Sequence, residues 1–210
     1  MRLGTLETIR RYPVKSLGGQ TLAETEIGEN GIPGDRTQRL VVESGHARIG
    51  REYRGIEDER LHLVQGVGQA KAMAGERGVA LRVESGGRYH YANPITLVMD
   101  RWLKELSAFV GYAVEPERFR PNLAVHAADD FAFAEADLFG ATLEVGNVRL
   151  KVRKPISRCV TITFDPGGGA ADPRILRFVA QERDAKMGVY CDVLRAGTAR
   201  SGDSVRLVDR

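Results

Sequence analysis

The chain has 210 residues, 42% of them hydrophobic and 28% charged, with a net charge of +3. This is the profile of a globular domain and excludes disordered, collagen-like and disulfide-scaffold classes; a chain of this size buries roughly 70% of its extended surface and needs no staples to fold. A pI near 9.0 is too mild to indicate nucleic acid, because a few Arg and Lys around a small anionic ligand account for it equally well.

Short β-type segments separated by Gly, Asn and Pro run through the sequence. In chain order, strands are expected over Leu3–Arg10, Thr21–Ile27, Gln38–Val42 and Val79–Val83, with a weak helix near Gln69–Ala74. Within Pro94–Val110, residues Val98, Trp102, Leu106, Phe109 and Val110 recur at helical spacing. Two starts are open: Asn93-Pro94 as cap and first turn, or a strand over Ile95–Met99 with Asp100 capping the helix. Further strands follow over Asn122–Val125, Thr142–Val145, Val148–Val152 and Cys159–Phe164, with Gly146-Asn147 at the tip of a hairpin. A helix is expected over Asp172–Arg183, with Asp172 as its cap, Pro173 in its first turn and an apolar face of Ile175, Leu176, Phe178 and Val179. Strands over Gly188–Leu194 and Ser204–Val208 close the chain. So many short strands predict a mainly β (α+β) barrel or sandwich with a few peripheral helices.

There are two cysteines, Cys159 and Cys191, and no CxxC pair, which excludes a zinc ribbon or thioredoxin motif. The opening residues Met1 to Glu7 lack the apolar core of a signal peptide, and no apolar run reaches the ~20 residues of a membrane helix. The expected compartment is the cytoplasm, with no membrane and no nucleic-acid partner.

Four clusters could carry chemistry. Tyr12-Pro13-Val14-Lys15-Ser16-Leu17-Gly18-Gly19 places a Lys and a hydroxyl on a turn whose backbone N–H groups could approach an anion. Gly31-Ile32-Pro33-Gly34-Asp35-Arg36 is a tight bend that aims Arg36. Glu117-Arg118-Phe119-Arg120-Pro121-Asn122 supplies guanidiniums and an amide in a stretch that Pro121 holds extended. Each also reads as an ordinary solvated turn when taken alone. The fourth, Pro155-Ile156-Ser157-Arg158-Cys159-Val160, sets a thiol beside a guanidinium that favours the thiolate, and a thiolate suits a soft or high-valent metal. A Cys on a strand also serves as a small buried hydrophobe. Pro166-Gly167-Gly168-Gly169 lacks the Lys-Ser/Thr of a phosphate loop, and Gly66-Val67-Gly68 lacks the third glycine of a dinucleotide site. His46, His62, His90 and His126 are scattered and never at metal-ligand spacing.

Together the clusters resemble, in order, the MOSC family, named for the C-terminus of molybdenum cofactor sulfurase, and within it the subgroup of the amidoxime reducing components. Tyr12 to Ser16 resembles the family's opening portion, Gly34-Asp35-Arg36 its Gly-Asp-Arg turn, and Arg118-Phe119-Arg120-Pro121-Asn122 the run leading into its core. Ser157-Arg158-Cys159 with Asp165-Pro166 resembles its cysteine strand, and Gly188-Val189-Tyr190 through Ser201-Gly202-Asp203 its closing hairpin. The resemblance implies one MOSC-type β-barrel unit over 1–210, with an N-terminal β portion over 1–90 and a core over 91–210. It implies a molybdenum cofactor (molybdopterin carrying Mo), with Cys159 as the catalytic thiolate on the metal. By the same match, Lys15, Ser16, Arg36, Arg120, Asn122, Ser157 and Arg158 would hold the pterin and its phosphate. The implied activity is a molybdenum-dependent oxidoreductase that reduces N-hydroxylated or N-oxygenated small molecules, with electrons from a separate donor protein. Two other functions fit a thiol in this setting: a sulfur carrier using a Cys159 persulfide, and a non-catalytic module that binds the cofactor. The chain departs from the pattern at Thr37-Gln38, where aromatic residues are usual, and in a shorter segment between Arg51 and Arg118.

Overall fold

Strand β1 (Arg2–Arg11) is where the barrel closes on itself. A computed structural model describes residues 1–209. The remaining strands are β2 (Gln20–Leu22), β3 (Glu24–Ile27), β4 (Gln38–Ser44), β5 (Ala80–Ser85), β6 (Ile95–Met99) and β7 (Leu123–Ala127), then β8 (Thr142–Val145), β9 (Val148–Ser157), β10 (Lys186–Arg195), β11 (Gly197–Arg200) and β12 (Ser204–Asp209). Seven of them form a ring in the order β1, β12, β8, β9, β10, β6, β7 and back to β1. Every pairing in the ring is antiparallel except β6 with β7. A parallel pair needs a crossover, and here it carries the short helix α2 (Lys104–Val110) between two 3₁₀ turns at Asp100–Leu103 and Pro116–Phe119.

The first strand shows how sequence becomes register. Leu3, Leu6 and Ile9 are all fully buried, although strict alternation from Leu6 would turn Ile9 outward. A bulge against β7 between Leu6 and Thr8 shifts the phase by one residue and returns Ile9 to the core. Gly4 is required beside it, because a Cβ there would lie 2.2 Å from the His126 carbonyl oxygen. Residues of β1 contribute to the ring together with strands drawn from beyond residue 90, so the barrel takes chain from both portions expected on either side of that point. A second, smaller core of Val14, Leu17, Leu40, Val42, Tyr53, Leu61, Val64 and Leu81 lies under β4, β5 and helix α1 (Val67–Glu76).

Of the two starts left open within Pro94–Val110, the strand over Ile95–Met99 is the one that forms; Ile95, Leu97, Val98 and Met99 are all fully buried, as an interior strand requires. Three expectations need correction. Asp100 does not cap its own helix: its carboxylate accepts from the Ala127 N–H at 2.9 Å and faces His126 Nδ1 at 2.7 Å. The segment expected as one strand over Thr21–Ile27 breaks at Ala23, so that β2 joins β1 while β3 pairs with β11 in a separate ribbon. The β-branched run after Cys159 is one turn of 3₁₀ helix, Val160–Thr163, and β9 ends at Ser157. Its carbonyls go to side chains rather than to a strand: Arg118 Nη1 donates to Thr163 O and Phe164 O at 3.2 and 3.0 Å. Tertiary hydrogen bonding here overrides β-propensity. No described helix is long and apolar enough to cross a membrane.

The expected last helix forms as α3 (Pro173–Glu182), with Pro173 in the first turn and Ile175, Phe178 and Val179 buried. Asp172 accepts from the Arg174 N–H at 3.0 Å and from the Tyr112 hydroxyl at 3.0 Å. The Arg174 side chain beside it holds its carboxyl down at about 2. A folded-state value below the ordinary one gives stability that is present at neutral pH and lost as pH falls through the folded value. Asp172→Ala should therefore cost about 1 kcal/mol at pH 7, with the difference from wild type closing as the pH approaches 2 in denaturant titrations.

Candidate functional site

The register of five segments sets one row of residues side by side. Lys154 on β9 faces Tyr190 on β10, which faces Thr96 on β6. The Thr96 carbonyl accepts from the Asn122 N–H at 2.9 Å, and the Asn122 carbonyl from the Arg10 N–H at 2.8 Å. Over this row opens a cavity of about 550 Å³. Its lining includes Lys15, Ser16, Arg36, Arg120, Ser157, Arg158 and Cys159, seven of the eight side chains expected from sequence. Segments 54–62, 90–93 and 161–164 complete the wall.

Tyr12 is the platform for the cationic side. It is 1% exposed and its hydroxyl donates to Pro121 O at 3.2 Å. The guanidinium carbons of Arg36 and Arg120 lie 4.7 and 4.4 Å from its ring centroid, within cation–π range. Burial pushes the Tyr12 hydroxyl above its ordinary value, so it acts as a neutral ring at physiological pH. Asp35 accepts from the Tyr12 N–H at 2.7 Å through one oxygen and pairs with Arg36 through the other. Ser16, Arg36 and Arg120 all have left-handed backbones, with φ of 74°, 50° and 52°. Such conformations cost of order 1–3 kcal/mol for a residue with a side chain and persist only where the surroundings enforce them.

Asn122 does not face the cavity. It is completely buried, and its Oδ1 accepts from Thr96 N, Thr96 Oγ1 and Arg36 Nη1, while Nδ2 donates to Arg10 O. With its amide consumed inside the protein, its part is to aim Arg36. Of the eight residues expected at the site, Asn122 is the one that does not line the cavity.

Seven cations line the cavity: Lys15, Arg36, Arg54, Arg118, Arg120, Lys154 and Arg158. Carboxylates offset four of them: Glu52 sits 3.0 Å from Lys15, Asp35 pairs with Arg36, Glu57 stands 4.0 Å from Arg54, and Glu115 and Asp165 flank Arg118. Arg120, Lys154 and Arg158 have no carboxylate partner among the described residues. Arg158 donates from Nε to Met187 O and from Nη1 to Phe119 O, at 2.7 and 2.8 Å, and leaves Nη2 buried with no acceptor. Burial lowers its value to about 10, which keeps it cationic at neutral pH. A buried unpartnered donor of this kind is costly and marks a place for an acceptor.

Cys159 Sγ is exposed to the cavity and lies 3.3 Å from Thr161 Oγ1. Its loop is anchored from three sides. Arg158 N donates to Ala185 O at 2.8 Å, Arg118 takes two carbonyls, and His62 Nε2 lies 2.7 Å from Asp165 O with its ring stacked on Phe164. Cys191, by contrast, is fully buried and its thiol is pushed up to about 12 by that burial, so it is packing. Among the described residues no three His, Cys, Asp or Glu side chains converge as a metal site.

Sequence reasoning missed several lining residues. His90 Nδ1 stands 3.7 Å from Asp35 Oδ2, and burial, with help from Arg36, holds its value below the ordinary one. Lys15 Nζ lies 3.8 Å above the Tyr91 ring centroid. The residues of these pairs are far apart in sequence, and no spacing rule could have joined them.

The description "MOSC domain" fits residues 85–206, more than half of the chain. The chain belongs to the MOSC domain family. Domains of this family are associated with the molybdenum cofactor. The chain is 30% identical over 135 residues to mitochondrial amidoxime reducing component 2 of Rattus norvegicus, covering 58% of this chain and 39% of that protein. The Homo sapiens protein of the same name is 29% identical over 125 residues, covering 53% and 36%. The matched region thus spans less than two-fifths of these relatives' length. Among solved structures, the YuaD protein from Bacillus subtilis superposes with a TM-score of 0.60 at 16% identity, covering 99% of this chain and 96% of that one. That likeness speaks to the barrel alone.

The bonding of Asn122 has a measurable consequence. Asn122→Ala removes partners from Thr96, Arg36 and Arg10 inside the core and should destabilise the protein by roughly 2–4 kcal/mol in chemical denaturation, cofactor or not. A mere ligand contact would leave the stability of the empty protein unchanged.

Proposed function

We propose that this MOSC protein is a molybdenum-cofactor-dependent oxidoreductase that reduces N-hydroxylated or N-oxygenated small molecules. The observation that carries the reading is one cavity holding an exposed thiol together with three cations, Arg120, Lys154 and Arg158, that no carboxylate neutralises. The donor set fits the group. A pterin phosphate is anionic and rich in acceptors, Arg forks bind phosphate bidentately, and Arg158 Nη2 is a donor still waiting for its acceptor. A lone thiolate suits a metal that brings its other ligands with it.

In this reading Cys159 ligates molybdenum, and Lys15, Ser16, Arg36, Arg120, Ser157 and Arg158 hold the pterin and its phosphate. When bound, the cofactor supplies two-electron oxygen-atom chemistry. The chain's own work is positioning. Thr161 Oγ1 restrains the sulfur at 3.3 Å, the Tyr12 platform fixes two guanidiniums, and the 3₁₀ turn after Cys159 keeps the thiol at the cavity wall rather than in the core. A separate protein delivers electrons, and the small-molecule substrate enters beside Cys159.

The exposed thiol suits a persulfide carrier as well, and metal content separates the two. Protein made in a host that synthesises the cofactor should contain stoichiometric molybdenum and reduce benzamidoxime with a dithionite-reduced viologen as donor. Cys159→Ala should fold normally, because the side chain is exposed, and should lose both metal and turnover. Metal-free wild type that gains a sulfur adduct on Cys159 from a desulfurase would instead establish the carrier.

A further inference from the structure

His90 stands in the cavity wall with no part assigned to it so far. It lies between Arg51 and Arg118, where the chain departs from the family pattern, so the resemblance carries no role to it. Its side chain is 11% exposed, and its one ionic contact among the described residues is Asp35 Oδ2, 3.7 Å from Nδ1. That is too long for a hydrogen bond. The same oxygen already pairs with Arg36, and the other accepts from the Tyr12 N–H. The backbone on either side of the ring is pinned to the bend that carries Arg36: Tyr89 N donates to Arg36 O at 2.9 Å, and Gly86 N to Thr37 O at 3.1 Å.

The charges that face the ring come from three segments. Asp35 and Arg36 come from the bend, Lys15 from the turn after β1, and Arg88 from the segment of His90 itself. Glu52 offsets Lys15 at 3.0 Å, and Asp35 offsets Arg36. These two pairs are neutral together. Arg120, beside Arg36 on the Tyr12 ring, adds a cation that no described carboxylate offsets. In the empty cavity burial disfavours a proton on His90, and so do Arg36, Arg88 and Lys15, with Asp35 alone opposing them. An oxyanion at this end reverses the balance. It screens the ring from the cations and gives an imidazolium a partner.

We infer that His90 is a further residue of this anion site, taking up a proton from solvent when an oxyanion binds beside Lys15 and Arg36. The inference rests on the cofactor-binding part of the reading above, in which the oxyanion is the pterin phosphate. A neutral imidazole has one N–H to give, whereas the imidazolium has two and a charge, enough for Asp35 and the anion together. His90 titrates below its ordinary value in the empty cavity, and the anion moves it up. Affinity is therefore greatest at acid pH and falls as pH rises through the value of the complex. A guanidinium, charged at every accessible pH, gives no such uptake.

The test uses the full chain made without cofactor, and sulfate as the probe, because sulfate itself does not titrate between about pH 5.5 and 7.5. Calorimetry in two buffers of different ionisation enthalpy counts the protons bound. The wild type should take up protons with sulfate, and its affinity should fall about tenfold across that range. In NMR titrations of the wild type, the His90 ring should titrate about one pH unit higher at saturating sulfate. His90→Gln should bind sulfate more weakly at the acid end, match the wild type within about twofold at the alkaline end, and take up no proton. Uptake that survives in His90→Gln, a His90 titration that sulfate leaves unmoved, or no sulfate binding at the acid end overturns the inference, and the metal content of loaded protein still decides the reductase reading. Proton-linked sulfate binding through His90 in a chain that never acquires molybdenum upholds the site and sinks the reductase reading instead.

Discussion

The buried carboxylate of Asp35 is the constraint on which the site depends. It holds the Tyr12 N–H and the Arg36 guanidinium at once, and Arg36 in turn reaches Asn122 Oδ1 at 3.3 Å and Arg120 O at 3.2 Å. Arg120 then donates to Leu17 O. This chain of bonds ties the turn after β1, the bend at Gly34, and the run leading into β7 to one another. Removing one member of a buried pair leaves an uncompensated charge, which costs about 3–5 kcal/mol. The network is therefore satisfied as a whole or not at all.

Backbone strain follows from the same knot. Ser16, Arg36 and Arg120 are held in the left-handed region that glycine normally occupies. Glycine at any of these positions would relax the backbone but remove the side chain that the cavity uses. The hydrogen bonds of Arg36 N to Tyr12 O and of Arg120 N to Glu117 O, at 2.7 and 2.9 Å, offset part of the cost. Strain thus coincides with three residues that line the cavity, the hydroxyl-bearing Ser16 and the guanidinium-bearing Arg36 and Arg120.

The wall bearing Cys159 is built differently. There Cys159 itself has an extended backbone, and its position comes from Arg118 and His62, which reach in from elsewhere, and from neighbouring Arg158, which bonds Met187 O and Phe119 O. The barrel supplies the rigid row beneath, from Lys154 to Arg10, and the smaller core around Leu40 and Tyr53 lies under Lys15 and segment 54–62. A site assembled between two cores gains a cleft without carving one into either.

Most strands, helix α3 with its Asp172 cap, and the cation-rich turns were legible in the sequence, because alternation, capping and Pro-Gly punctuation are local signals that neighbouring residues enforce. So was the grouping of Lys15, Arg36, Arg120, Arg158 and Cys159, carried by a family resemblance rather than by spacing. What only the tertiary structure decided was which polar atoms meet. It turned Asn122 inward to bond Thr96, folded the β-branched run after Cys159 into a 3₁₀ turn by giving its carbonyls to Arg118, and left Glu59 unpaired while Glu57 and Asp58 found partners. A chain determines its own periodicity residue by residue, but a buried donor takes whichever acceptor the closed barrel brings within 3 Å, and that choice exists only after the ends of β1 have met β7 and β12.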